Sequence, residues 1–251
     1  MDETRRWPAA LWIARHGESS GNVARERAEE QGAARLELTE RDMDVPLSEL
    51  GERQAAALGE WIAKMAEEQR PTAVLCSPYV RARQTAELLL DAAAMSDLPL
   101  AVDERLRERE FGALDGLTGK GIAAQFPEEA ERRRVLGKFY HRPPGGESWA
   151  DVLQRLRTLL HEVRRDYDGR RVLIVAHQVV VLLIRYLLEH MDEQSILAVD
   201  AEADIANCSL TQYTYDDSEG NLVRVSWNET APVEAEGEQV TAEPDVPTGA
   251  R

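Results

Sequence analysis

Short apolar runs alternate with amphipathic stretches along the chain. The runs at 9–14, 73–76 and 171–176 are almost wholly apolar and short enough to be buried strands. The stretch that begins at Glu49 carries apolar side chains at positions 58, 61, 62 and 65, which is the spacing of one helix face. Strands alternating with helices predict an α/β fold with a mostly parallel central sheet and helices on both faces.

Capping residues mark where the helices begin. Ser48 precedes the first amphipathic stretch, and Ser148 precedes another with Asp151 three residues on. The pair Ser77-Pro78 predicts a helix opened by a cap and a first-turn proline. A further helix is expected over residues 178–190, directly after the third strand.

The rest of the chain is less regular. The segment 104–147 is rich in glycine and has a Pro-Pro-Gly-Gly stretch, which is typical of a functional loop region. Alternating runs at 209–215 and 222–227 flank a polar turn and predict a hairpin. From Glu229 onward large apolar residues almost disappear. We therefore predict one domain over 1–228 and an acidic, disordered tail over 229–251.

Composition narrows the classes of function. The 251 residues carry a net charge of −16, which disfavours binding to nucleic acid. The longest apolar run is too short and too polar to span a bilayer, and the N-terminus lacks the apolar core of a secretion signal. These features predict a cytoplasmic protein without a membrane partner. Two cysteines, Cys76 and Cys208, are too few for a disulfide scaffold or a structural zinc site.

Cations and imidazoles follow the three strongest strands. The first strand runs into Arg15 and His16, the second into a segment that contains Arg81, and the third into His177. Ligands of parallel α/β sheets bind at the carboxyl ends of the strands. Because these side chains are expected at one edge of one sheet, the sequence predicts a site there for an anionic group.

Phosphoryl transfer is the chemistry that this set suits. Arg15 and Arg81 can clamp phosphate oxygens, because a guanidinium binds them in pairs and stays charged. Asn22 can add an amide donor, and the backbone near Gly17 can add N–H groups at a helix start.

Imidazole and carboxyl groups would supply the nucleophile, a further contact to the transferring oxygens and the proton donor. His16 is predicted to be the nucleophile and to carry the phosphoryl group transiently. His177 would stabilise the transferring oxygens, and Glu108 would protonate the leaving oxygen and later activate water. No metal and no cofactor is required. Each of these residues alone has an ordinary structural explanation, and only their combination favours catalysis.

Four spaced motifs resemble the histidine phosphatase superfamily, whose members are phosphoglycerate mutase-like. They are Arg15-His-Gly-Glu-Ser19 with Asn22, Ser77-Pro-Tyr-Val-Arg81, Leu106-Arg-Glu108, and Val172-Leu-Ile-Val-Ala-His177. The matches run in order from about residue 10 to residue 190. The resemblance implies the same roles for His16, Glu108, His177 and the two arginines, and it favours Arg81 over Arg83 as the phosphate ligand.

Within that superfamily, the phosphatase branch is favoured. Gln178 follows the second histidine as in fructose-bisphosphatase-like members, and Phe111 stands where the mutase branch usually has tyrosine. We therefore predict a metal-independent phosphatase that acts on a small phosphorylated metabolite. A phosphoglycerate-type mutase and a catalytically silent phospho-ligand binding protein remain the alternatives. The stretch 23–43 is expected to form part of a pocket lid, and a homodimer is left open.

Overall fold

The computed structural model describes residues 7–242, which form one mixed sheet with helices on both sides. The strands are β1 (Ala10–Arg15), β2 (Ala73–Cys76), β3 (Leu100–Val102), β4 (Arg171–Ala176), β5 (Leu210–Asp216) and β6 (Asn221–Glu229). The helices are α1 (Ser20–Glu30), α2 (Glu49–Ala63), α3 (Val80–Ala92), α4 (Gly119–Gln125), α5 (Pro127–Tyr140), α6 (Trp149–Asp166), α7 (Gln178–Leu188), α8 (Glu193–Glu202) and α9 (Ala231–Glu234).

The sheet is mixed rather than mostly parallel. Its strand order is β3-β2-β4-β1-β5-β6, in which the first four strands run parallel to one another. The predicted hairpin, β5 and β6, is present, but it pairs antiparallel with β1 and so extends the same sheet. The expectation of a mostly parallel sheet is therefore only partly right, because the alternating pattern of a hairpin does not show which strand it will join.

The register brings the carboxyl ends of the three predicted strands together. Arg15 of β1 lies opposite Ala176 of β4, and Cys76 of β2 lies opposite Val175. The next residues in each segment therefore leave the sheet at a common edge. This alignment follows from parallel pairing and needs no special contact.

Two apolar layers cover the sheet. The layer on one face includes the buried side of α2 and α3, and the layer on the other includes α6 and α7. Strands β1 and β4 lie at the centre and are buried on both faces, which explains why they are continuous apolar runs.

Most helix starts agree with the sequence. Ser48 caps α2, and Ser148 caps α6 in a capping box with Asp151. The Ser77-Pro78 prediction is wrong in detail, because α3 begins at Val80 after Tyr79, which makes no side-chain cap. Strand β3 and helix α8 were not predicted.

The segment 229–242 corrects the prediction of a disordered tail from Glu229. Helix α9 packs against α2, and Val233 is fully buried. The Gln54 side chain donates to the carbonyl oxygen of Gln239, and the Asn207 backbone N–H donates to that of Thr241. One buried valine and a few polar contacts hold this segment, and neither gives the periodic apolar pattern by which a helix or strand is predicted. The rest of the predicted tail, 243–251, lies outside the described residues.

Candidate active site

A close approach between two glycines fixes the loop that follows β1. A Cβ on Gly17 would lie 2.5 Å from the carbonyl oxygen of Gly51, and a Cβ on Gly51 would lie 1.9 Å from that of Glu18. No other residue fits there without movement of the backbone. The Gly17 N–H donates to Thr85 Oγ1 at 3.0 Å. That group, predicted as an anion donor, is therefore already occupied by the protein.

The imidazole of His16 is held in one tautomer. Its Nδ1 lies 2.7 Å from the carbonyl oxygen of Gly17, which can only accept, so Nδ1 carries the hydrogen. Nε2 therefore carries no hydrogen, and it accepts a hydrogen bond from Arg81 Nε at 3.3 Å. Burial lowers the pKa of His16 well below its usual value, and Arg81 and Arg15 lower it further. The ring is therefore neutral, with a lone pair on Nε2.

Arg81 is the guanidinium in direct contact with that nitrogen. Its side chain is buried, and its Nη1 donates to the backbone oxygen of Asp42 at 2.5 Å and pairs with Asp42 Oδ1 at 3.0 Å. Arg15 is also buried and donates to the carbonyl oxygen of Ile205. Both predicted clamp residues therefore lie beside His16, and Asp42 is a partner that the sequence did not reveal.

His177 lies behind His16 rather than on the pocket wall. The two ring centroids are 5.1 Å apart in an edge-on arrangement. His177 Nε2 lies 2.7 Å from Ser77 Oγ, while its buried Nδ1 has no partner within residues 7–242. Burial lowers the pKa of His177, and the nearby Arg81 lowers it further. The ring is therefore neutral, and it can contact the transferring oxygens only as a hydrogen-bond donor.

Glu108 lines the pocket and is held by its own loop. Its Oε1 accepts from the Arg109 N–H at 2.8 Å. The guanidinium of Arg155 donates to the carbonyl oxygens of Arg105 at 2.6 Å, Arg107 at 2.8 Å and Glu108 at 3.1 Å. One arginine from α6 therefore fixes the backbone that carries the predicted acid.

Asn22 lies in the first turn of α1 and closes a capping box. Its Oδ1 accepts from the backbone N–H of Ser19 at 2.9 Å, and Ser19 Oγ accepts from the Asn22 N–H at 3.2 Å. The box uses the amide oxygen, and the residue also lines the pocket. A donor role for the amide nitrogen thus agrees with its position.

Of the predicted site residues, all but His177 line one cavity of about 190 Å³. Sequence reasoning missed several of its lining side chains, although it placed the stretch 23–43 near the site. The lining residues that were not predicted include Arg25, Arg35, Glu40, Asp42 and Asp115.

Two further findings concern the described part of the chain. None of its helices has the length and apolar character that crossing a bilayer requires. Residues 7–242 also contain no group of three or more side chains suited to hold a metal ion.

An α/β sheet with two histidines and two arginines at its carboxyl edge defines the class of protein. The family model described as "Histidine phosphatase superfamily (branch 1)" matches residues 11–228. The chain therefore belongs to this superfamily, as the motifs predicted.

The individual relatives are named for different activities. The chain is 37% identical over 164 residues to the 2,3-bisphosphoglycerate-dependent phosphoglycerate mutase 2 of Gloeobacter violaceus, a match that covers 63% of this chain and 71% of the mutase. It is 33% identical over 174 residues to the 6-phosphofructo-2-kinase/fructose-2,6-bisphosphatase of Caenorhabditis elegans, covering 69% of this chain and 33% of that protein. The chain thus matches only a third of that second relative.

A solved structure is similar over nearly its whole length. The mycobacterial glucosyl-3-phosphoglycerate phosphatase Rv2419c superposes with a TM-score of 0.67 at 29% identity, covering 88% of this chain and 99% of that one. Phosphatases and mutases both occur among the relatives, so the superfamily is established and the particular reaction is not.

Proposed function

We propose that this protein is a metal-independent phosphatase that hydrolyses a small phosphorylated metabolite, in the cytoplasm, through a phosphohistidine on His16. The observation that carries the proposal is the state of that ring. Its Nδ1 donates to the Gly17 carbonyl oxygen, and its Nε2 carries a lone pair that accepts from Arg81 Nε. A histidine nucleophile must be neutral and must have one ring nitrogen without a hydrogen.

The reaction would run in two steps. His16 Nε2 attacks phosphorus while the ester P–O bond breaks, and Glu108 gives a proton to the leaving oxygen. Glu108 then takes a proton from water, which attacks the phosphohistidine and releases phosphate. Arg15 and Arg81 would hold the equatorial oxygens, and Asn22 would add a further donor.

His177 would act as a neutral donor in this scheme. If Ser77 Oγ donates to Nε2 of His177, the ring hydrogen lies on Nδ1, the nitrogen that has no partner in residues 7–242. A phosphoryl group on His16 would supply the missing acceptor, because the two rings are adjacent. The buried Nδ1 would then be satisfied only in the phosphorylated state.

A mutase is the second candidate, and the match to the Gloeobacter mutase favours it. Such an enzyme would keep the phosphoryl group on His16 and return it to another hydroxyl of the substrate. Gln178 and Phe111 favour the phosphatase, because Gln178 resembles the fructose-bisphosphatase-like branch and Phe111 lacks the hydroxyl of the tyrosine usual in the mutase branch.

The test is phosphate release from p-nitrophenyl phosphate, sugar phosphates and phosphoglycerates in excess EDTA. We expect release by the wild type, none by His16→Ala, and unchanged release by His161→Ala, a matched control because His161 is exposed on α6. Acid-labile phosphate should be trapped on the wild type and be absent from His16→Ala. Glu108→Gln should slow esters with poor leaving groups far more than p-nitrophenyl phosphate.

Other outcomes would point elsewhere. Isomerisation of phosphoglycerate without phosphate release would favour the mutase. The absence of both reactions in the folded wild type would leave the silent binding protein. Equal losses for good and poor leaving groups in Glu108→Gln would remove the role of general acid.

A further inference from the structure

The segment 231–242 reaches two side chains that contact the loop carrying His16. Helix α9 packs against α2, where Val233 is fully buried. Glu238 pairs with Arg53 of α2 at 3.0 Å, so the chain beyond α9 also stays on that helix. An acidic stretch that is poor in large apolar residues has no core of its own to build, so its ordered contacts require an explanation.

Gln54 of α2 joins this segment to the peptide group between Gly17 and Glu18. Its Oε1 accepts from the Glu18 N–H at 2.8 Å, and its Nε2 donates to the Gln239 carbonyl oxygen at 2.8 Å and to Thr241 Oγ1 at 3.0 Å. The residue is fully buried. Because the Glu18 N–H can only donate, the amide oxygen of Gln54 must face it and the amide nitrogen must face the segment.

Asn207, in the turn before β5, joins the same segment to His16 itself. Its Nδ2 donates to the His16 carbonyl oxygen at 3.0 Å, and its Oδ1 accepts from Thr241 Oγ1 at 3.0 Å. Its backbone N–H donates to the Thr241 carbonyl oxygen at 2.8 Å, and the residue is fully buried. The Thr241 hydroxyl therefore accepts from one buried amide and donates to the other, which fixes the orientation of both.

These two amides hold the peptide groups on either side of Gly17. Asn207 binds the carbonyl oxygen of the first peptide group, and Gln54 binds the N–H of the second. The second peptide group also carries the Gly17 carbonyl oxygen, which accepts from His16 Nδ1 at 2.7 Å. Since a peptide group is planar, a fixed N–H also fixes the direction of its carbonyl oxygen. Gln54 therefore orients the acceptor that keeps the ring hydrogen of His16 on Nδ1.

We propose that Gln54 and Asn207 are positioning residues for the nucleophile, and that Thr241 of the C-terminal segment holds both amides in the orientation that this role needs. The inference rests on the proposed function, in which His16 attacks phosphorus through Nε2. Neither amide side chain lines the cavity, and neither does Thr241. Their loss should therefore slow the attack by His16 and leave the binding of phosphate almost unchanged.

The ring nitrogens of His16 test this positioning without any turnover. In protein labelled with ¹⁵N-histidine, long-range proton–nitrogen spectra separate a ring nitrogen that carries hydrogen from one that does not, and His16→Gln assigns the signals. We expect hydrogen on Nδ1 alone in the wild type at neutral pH. In Gln54→Leu the two nitrogen shifts should approach each other, because both tautomers become populated. Thr241→Val leaves Gln54 one of its two acceptors and should show a smaller change in the same direction. Thr241→Ser keeps the hydroxyl and should restore the wild-type spectrum.

The rate of phosphoryl transfer gives the second readout. We expect kcat/KM for p-nitrophenyl phosphate to fall by about ten- to a hundredfold in Gln54→Leu, the effect of one buried hydrogen bond lost, and by less in Thr241→Val. The dissociation constant of inorganic phosphate should change by less than about twofold, since Arg15 and Arg81 are not substituted. Gln239→Leu is the matched control, because the Gln239 side chain is exposed and its backbone oxygen makes the contact to Gln54.

The combined results decide the proposal. A changed tautomer with a lower rate in Gln54→Leu and Thr241→Val, and neither in Gln239→Leu, supports it. An unchanged tautomer in folded Gln54→Leu overturns it, as does an equal loss of rate in Val163→Ala, which removes buried volume on the other face of the sheet. If Gln54→Leu does not fold, Thr241→Val and Thr241→Ser decide alone, and a wild-type spectrum in Thr241→Val overturns the role of the segment. If the wild type hydrolyses nothing, the proposed function fails, while the spectra still support or overturn the positioning of the ring.

Discussion

Asp42 pairs with Arg81, one of the two arginines proposed to clamp phosphate, and removal of its charge should strengthen phosphate binding. The carboxylate pairs with Arg81 at 3.0 Å, and a bound phosphate would have to displace it. Asp42→Asn keeps the shape of the side chain and also the backbone contact to Arg81 at 2.5 Å. The substitution therefore removes the competing charge and little else.

The size of the effect follows from exposure. Exposed ion pairs contribute about 0.2–1 kcal/mol. The Arg81 side chain is 7% exposed and that of Asp42 is 37% exposed, so this pair belongs near the upper end of that range. If phosphate no longer has to break an ion pair worth about 1 kcal/mol, its dissociation constant should fall about fivefold.

Calorimetric titration with inorganic phosphate at near-physiological salt measures this directly and needs no turnover. Asp44→Asn is the matched control, because Asp44 lies in the same short turn and pairs with the exposed Arg41 outside the cavity. We expect less than a twofold change there, since an exposed charge at a distance is screened. Unchanged or weaker phosphate binding in Asp42→Asn would refute the idea that Asp42 competes with phosphate for Arg81. Equal gains in affinity in both variants would show that the effect comes from the net charge of the protein and not from this ion pair.

Three further predictions concern groups around the histidines. Ser77→Ala removes the partner of His177 and leaves the buried ring without a fixed tautomer, so the free energy of unfolding should fall by about 1–3 kcal/mol in urea titrations and kcat should fall with it. Gly51→Ala places a methyl group 1.9 Å from the Glu18 carbonyl oxygen, so thermal unfolding should show a loss larger than the ~1 kcal/mol typical of point substitutions. The lowered pKa values of His16 and His177 mean that the unfolded chain takes up their protons first. Stability should therefore fall as the pH drops below about 6.5, by about 1.4 kcal/mol per pH unit for each ring, and His16→Gln should reduce that slope in urea titrations between pH 7.5 and 5.5.

The groups at the strand ends, Arg15, His16 and His177, could be predicted because they depend on strand order alone, whereas Glu108 lies on a loop and was predicted from its motif. Parallel pairing of β1, β2 and β4 aligns the residues that follow each strand, so an apolar run that ends in a cation is enough to place that cation. The helix caps at Ser48 and Ser148 were predictable for a similar reason, since each is a local signal. None of these inferences required knowledge of where a loop goes.

The position of Arg35 in the pocket lining depends on the path of a loop, which no local sequence pattern predicts. The segment around Ala34 is fixed by the turn that precedes α4, more than eighty residues later in the chain. Thr118 Oγ1 donates to the Ala33 carbonyl oxygen at 2.7 Å, and a Cβ on Gly121 would lie 1.8 Å from that of Ala34. These contacts place Arg35 in the cavity. Because they join distant parts of the sequence through backbone atoms, they leave no periodicity that could be recognised in advance.

The difference between residues placed by strands and residues placed by loops suggests how members of one superfamily can differ in activity. In this chain, parallel pairing places Arg15, His16 and His177 at one edge whatever path the loops take, so these groups do not by themselves choose a substrate. The loops that carry Arg35, Asp42 and Asp115 line the same cavity from the other elements, and they can change without disturbing the sheet. Transfer of these loops to a relative should therefore change its substrate preference without abolishing the phosphohistidine intermediate. Exchange of the strand ends should leave the substrate preference unchanged.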